Sequence, residues 1–176
     1  MRRAAYAIAL LLAIAITVHA AAQQTRRFLY VAVPGAGNET EYRGVGILVY
    51  DIDNGHKFVK RIPTWPVTAG QQPELVRGIA ASARTRRLFV STVKRLAAFD
   101  LVTEKIVWEK AYDGTCCDRL ALSPDGATIY APAYGAPKWY VIEAATGALL
   151  ATIVTMGWRR LAIFSPDGSL VYLSAW

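Results

Sequence analysis

An all-β fold built from repeated four-stranded antiparallel units is what this sequence predicts, and three observations carry the prediction. Ser123-Pro124-Asp125-Gly126 recurs as Ser165-Pro166-Asp167-Gly168. The register holds on both sides: Arg119-Leu120-Ala121-Leu122 precedes the first copy and Arg160-Leu161-Ala162-Ile163-Phe164 the second, while Thr128-Ile129-Tyr130 follows one and Leu170-Val171-Tyr172 the other. A degenerate earlier copy runs from Arg77-Gly78-Ile79-Ala80-Ala81-Ser82 to Arg87-Leu88-Phe89-Val90. Within a unit the apolar segments are short, rich in β-branched and aromatic residues, and separated by turn residues, which argues against helical repeats with their long 3.6-residue periodicity. Four short strands at a period of ~40–45 residues are the signature of a β-propeller blade, whereas a β-sandwich leaves the in-register repetition of whole units unexplained.

The elements follow in chain order. Residues 4–18 form an apolar run that follows Arg2 and Arg3 and ends in Val18-His19-Ala20-Ala21-Ala22. A basic start, an apolar stretch and a small-residue cleavage site read as a signal peptide over residues 1–22, so the mature chain is expected to be periplasmic or secreted. The run is shorter than the ~20 apolar residues of a membrane span, and no span is expected after cleavage. Arg26-Arg27 follows the apolar region, where a twin-arginine export signal would have to precede it.

Residues 23–176 are then expected to form the propeller. Three strands from Phe28 make a first unit, four a second, four a third at residues 119–122, 128–132, 139–142 and 148–153, and two begin a fourth. Ser-Pro-Asp-Gly suits a tight turn because Pro holds φ near −65° and Gly accepts a positive φ. Asp51-Ile52-Asp53-Asn54-Gly55, Asp100-Leu101-Val102-Thr103-Glu104 and Glu143-Ala144-Ala145-Thr146-Gly147 are equivalent turns between third and fourth strands. Blades 1 to 3 and the start of blade 4 fall short of the minimum of four in a closed propeller, so the chain reads as the N-terminal part of a longer protein.

Leu120 to Tyr130, with Ser123-Pro124-Asp125-Gly126 inside it, followed by Tyr140-Val141-Ile142-Glu143-Ala144-Ala145-Thr146-Gly147, resembles the repeat of the bacterial YVTN-type (YncE-like) β-propeller proteins. The resemblance spans about residues 28–176, with a stretched first unit that lacks the Ser-Pro-Asp-Gly turn. It implies an exported propeller of about seven blades and says little about activity.

Composition narrows the function classes. At 54% hydrophobic and 19% charged the chain is not disordered, and two cysteines exclude a disulfide scaffold. The 20 Lys+Arg against 13 Asp+Glu form no block or stripe, which argues against nucleic acid. His56 is the only histidine after residue 22, there is no C-x-x-C-H, and no nucleophile elbow, phosphate loop or zinc motif occurs, so neither a metal nor a haem is expected. Asp51-Ile52-Asp53-Asn54-Gly55 departs from calcium-loop spacing and reads as a β-turn.

The long loops, residues 34–43, 63–75, 111–118, 133–138 and 155–159, all fall on one side of such a propeller, and any site is expected there. Arg77, Arg119 and Arg160 recur at the start of each innermost strand. They either cup an anionic small molecule or a partner protein's carboxylates at the channel mouth, or each clips a neighbouring loop acid such as Asp118 or Glu74. Cys116-Cys117 precedes Asp118 in one of these loops and either closes a vicinal disulfide or remains as two thiols, and these three residues with Arg77, Arg119 and Arg160 make up the six candidate ligand-binding residues. Arg95, in a short interstrand loop, is the comparison charge for that site.

Ala98 to Trp108 resembles the tryptophan-docking motif of pyrroloquinoline quinone (PQQ) enzymes, with Glu104 replacing the usual Gly and Ala151 where the next unit would carry a second Trp. That resemblance implies a Trp packed between blades. The expected function is a non-catalytic binding or scaffold module with no cofactor, and the alternative is a fragment of a PQQ-type quinoprotein dehydrogenase.

Overall fold

The computed structural model describes residues 26–34, 45–67, 69–113, 116–157 and 159–175. The signal-peptide segment 1–22 and most of the loop 34–43 lie outside them. The described residues are all-β, with thirteen strands and one 3-10 turn at Ile52–Asn54. No helix among them is long and apolar enough to cross a membrane.

Sheet 1 contains β1 (Phe28–Pro34), β2 (Val45–Asp51) and β3 (Lys57–Ile62). Sheet 2 contains β4 (Gly78–Ser82), β5 (Arg87–Ser91), β6 (Leu96–Asp100) and β7 (Ile106–Lys110). Sheet 3 contains β8 (Ala121–Leu122), β9 (Thr128–Pro132), β10 (Lys138–Glu143) and β11 (Leu149–Val154), and sheet 4 pairs β12 (Arg159–Phe164) with β13 (Val171–Ala175). Every sheet is an antiparallel meander in sequence order. Three- and four-stranded units of this kind are compatible with blades.

The strands are short apolar runs because both faces of the central ones are covered. In β5, Leu88 and Val90 join Ile47, Val49 and Ile62 of sheet 1, while Phe89 points the other way and joins Ile129, Ala131, Tyr140 and Ile142 of sheet 3. A strand buried on alternate sides cannot show the apolar–polar alternation of a half-exposed one. Between sheets 3 and 4 the ring of Tyr130 meets Phe164 edge to face, with centroids 5.5 Å apart. The first strands of the units are neighbours: β4 lies against β8, and β8 against β12.

Local chemistry closes the turns as the repeat requires. Gly126 N–H donates to Ser123 C=O at 2.8 Å, Ser123 Oγ donates to Asp125 Oδ1 at 2.5 Å, and Ala127 N–H donates to the same oxygen at 3.0 Å. Ser165 to Ser169 repeats the pattern, with Gly168 N–H on Ser165 C=O at 2.9 Å and Ser169 N–H on Asp167 Oδ1 at 3.1 Å. Gly126 and Gly168 take φ of 76° and 75°, a region that favours glycine.

One strand is shorter than expected. The repeat predicts a strand over residues 119–122, yet only Ala121 and Leu122 pair. Cys117 pairs with Ala133 and Ala121 with Tyr130, so residues 118–120 face only 131 and 132, which is a β-bulge. The bulge turns Asp118 C=O out of the ladder, where Ser91 Oγ of sheet 2 donates to it at 2.7 Å.

Gly78 allows this approach. A Cβ there would stand 2.8 Å from Arg119 Cα and 2.9 Å from Ser91 Oγ. Gly78→Ala is expected to destabilise by about 1–2 kcal/mol, read as a lower urea midpoint at constant slope. An unchanged midpoint would show that β4 and β8 stand farther apart.

Candidate functional site

The bulge places five of the six sequence-predicted site residues together at the junction of sheets 2 and 3. Arg77 N–H donates to Ser91 C=O at 2.8 Å, which fixes its backbone at the entry to β4. Its Nε lies 3.2 Å from Asp118 Oδ1, and its guanidinium lies over the ring of Tyr134 at 5.2 Å. Arg77 and Asp118 therefore form the inter-loop clip, the structural alternative of the two readings. Arg119, one residue further, is exposed and has no ion pair among the described residues. Arg160 lies in β12, where only its backbone is described.

Cys116 and Cys117 are joined in a vicinal disulfide, and both residues are fully buried. They sit in the core between sheets 2 and 3 with Tyr112, Ala133 and Tyr140. Cys116 N–H donates to Val93 C=O at 2.7 Å and Cys117 N–H to Thr92 C=O at 3.3 Å, both in the β5–β6 loop. Tyr134 N–H donates to Cys116 C=O at 2.8 Å, and Asp118 N–H to Pro132 C=O at 3.0 Å. One short segment thus ties three loops.

Two clusters beside it had no signal in the sequence. Arg95 holds Glu74 through Nε at 3.1 Å and Nη2 at 2.7 Å, and Glu109 through Nη1 at 2.6 Å. Trp65 Nε1 donates to Glu109 Oε2 at 2.6 Å, and the guanidinium lies 5.3 Å from the Trp65 ring. Thr92 Oγ1 adds a hydrogen bond to Glu74 Oε2 at 3.1 Å. Three segments distant in sequence, the loop 63–75, the β5–β6 loop and β7, meet here, and no local pattern encodes that.

In the second cluster, Lys138 pairs with Asp113, while the Tyr140 hydroxyl lies 3.3 Å from Asp113 Oδ2. The hydrogen bond from Lys138 holds the Asp113 carboxyl below the usual range, and burial raises the Tyr140 hydroxyl. Burial pushes Tyr112 up to about 12, so its hydroxyl stays protonated and donates to Gly147 C=O at 2.8 Å. These tyrosines are hydrogen-bond donors at neutral pH rather than bases.

Trp108 sits between sheets 2 and 3, as the docking resemblance implies. Its Nε1 donates to Ala144 C=O at 3.1 Å, its ring centroid is 6.1 Å from that of Phe89, and a Cβ on Gly147 would stand 2.7 Å from Cε3.

A cavity of about 640 Å³ lies elsewhere, along β4, β8 and β12 toward their tight turns. Its lining is mostly Ala, Leu, Ile and Phe, with Ser82, Arg84, Ser123 and Ser165 at the turns. The small side chains of the first strands leave this space at the end opposite the long loops, where the sequence offers only tight turns. No group of three His, Cys, Asp or Glu that could hold a metal ion occurs among the described residues.

Comparison with protein-family models and with curated proteins finds no match to this chain.

Proposed function

We propose that this chain is an exported β-propeller of the YVTN (YncE-like) type. In this reading it is a binding or scaffold module that receives an anionic small molecule or a partner's carboxylates on its long-loop side. The supporting observation is Arg119, exposed in the bulge just before β8 with no acidic partner among the described residues, beside an Arg77–Asp118 clip that holds its backbone. An exposed guanidinium on a fixed backbone offers a planar donor set that matches carboxylate geometry.

The quinoprotein alternative draws on Trp108 and the paired cysteines. Both are accounted for by packing between sheets 2 and 3, so neither favours that alternative over the binding reading.

The test is a titration with a labelled oligoglutamate peptide at low salt. Arg119→Ala is expected to weaken binding about tenfold, the loss of one charge-assisted contact. Lys105→Ala removes the same charge from the exposed turn between β6 and β7 and should change binding less than about twofold, the small screened effect of a distant surface charge. Equal effects, or a fall in melting temperature for Arg119→Ala with binding unchanged, would assign Arg119 a structural role only.

A further inference from the structure

A disulfide between distant segments stabilises a fold by restricting the unfolded chain, and the gain grows with the length of loop closed. Cys116 and Cys117 are adjacent, so their bond encloses a single peptide unit and contributes little of that kind. Its effect is confined to the conformation of that one peptide.

That peptide lies where sheets 2 and 3 meet. Successive amides of an extended strand point to opposite edges. Here the amides of Cys116 and Cys117 both reach the same neighbouring loop, at Val93 and Thr92. The backbone must turn to do this, and ring closure between the two side chains holds such a turn. The consequence passes to the next two residues: Asp118 takes Ser91 on its carbonyl and Arg77 on its carboxylate, and Arg119 projects from the end of this arrangement.

We propose that the Cys116–Cys117 disulfide is a redox latch that keeps the Arg119 side in its binding shape and that a dithiol releases. The proposal rests on the binding reading given above. A thiolate of the dithiol attacks one sulfur to give a mixed disulfide, and its second thiol then displaces the cysteine. Cys116 and Cys117 gain two electrons and two protons and become thiols, and the dithiol leaves as its own disulfide. Because both cysteines are fully buried, attack takes place in molecules whose segment has swung away from Thr92 and Val93. Once reduced, the pair no longer enforces the turn, and the segment stays loose.

The experiment treats the folded protein with dithiothreitol and follows three readouts: thiol count, amide hydrogen exchange and oligoglutamate affinity. Cys116→Ala/Cys117→Ala serves as the permanently released form. Two thiols are expected to appear, with exchange at Cys116, Cys117 and Tyr134 quickening about tenfold or more, as for a locally opened segment. The amides of β10 should keep their protection, and affinity should fall to that of the double variant, which itself ignores the reductant. A disulfide that resists dithiothreitol in the folded protein, thiols without faster exchange, or loss of β10 protection overturns the latch. If exchange quickens at the three amides while neither redox state binds the peptide, the binding reading falls and the local conformational effect stands.

Discussion

Trp108→Ala is expected to lower the unfolding free energy by about 3–4 kcal/mol, toward the lower end of large-to-small aromatic replacements because the ring is only partly buried. The ring fills the space between Phe89 of sheet 2 and Gly147 of sheet 3, and its Nε1–H satisfies Ala144 C=O at 3.1 Å. Truncation opens a void between the sheets and leaves that carbonyl to water. Trp108→Phe separates the two losses: it keeps most of the packing and forfeits the hydrogen bond, at about 1 kcal/mol. Gly147→Ala attacks the same contact from the other side, since its φ of 73° disfavours a side chain and the added Cβ would stand 2.7 Å from Trp108 Cε3. Urea unfolding of the three variants checks the set. A loss below about 1 kcal/mol for Trp108→Ala would mean that the sheets are held together without this ring.

The motif containing Trp108 shows which parts of this molecule local sequence can encode. Strands β5, β9 and β10 were legible because an apolar run bounded by turn residues is a local property, and the Ser123 and Ser165 turns because their hydrogen bonds close within a few residues. Trp108 was legible through the resemblance of residues 98–108 to a docking motif, which implies a ring packed between units. Other features are set by contacts between units. The bulge at residues 118–120 depends on Ser91 drawing out the Asp118 carbonyl and on Gly78 admitting Arg119, neither of which is near in sequence. The pairing of Arg77 with Asp118 was one of two readings that spacing alone left open, and the cysteine pair was another. For Arg77 the deciding partner stands on another loop; the cysteines are adjacent, and what spacing does not encode is the backbone turn whose amides Val93 and Thr92 accept.

Arg95 is the clearest case, and its replacement is the second large effect expected. Placed in a short loop, it reads as a solvated charge, the kind whose removal changes stability by less than about 0.5 kcal/mol. The loop itself is local: Thr92 N–H donates to Arg95 C=O at 2.8 Å, and Thr92 Oγ1 accepts from the Lys94 and Arg95 amides. That geometry aims the Arg95 side chain at two carboxylates from other segments, and the Arg95 and Glu74 side chains are only 31% and 14% exposed. Among the described residues, Arg95→Ala leaves Glu74 with Lys94 at 3.7 Å as its remaining cation and leaves Glu109 with the Trp65 indole alone. A half-buried carboxylate stripped of a bidentate partner is costly, though less than the ~3–5 kcal/mol of a fully buried pair, so a loss of about 2–3 kcal/mol is expected. Arg95→Lys should recover less than half of it, because an ammonium cannot hold both Glu74 oxygens and Glu109 at once. In a double-mutant cycle with Glu74→Gln, a coupling of about 1 kcal/mol or more should remain, since each single variant already breaks the shared contact. A coupling near zero would return Arg95 to the solvated reading and restore it as a reference charge for Arg119. With the coupling present, any loss of ligand binding in Arg95→Ala includes the loosening of residues 63–77 over sheet 2, and Lys105 is the sounder comparison.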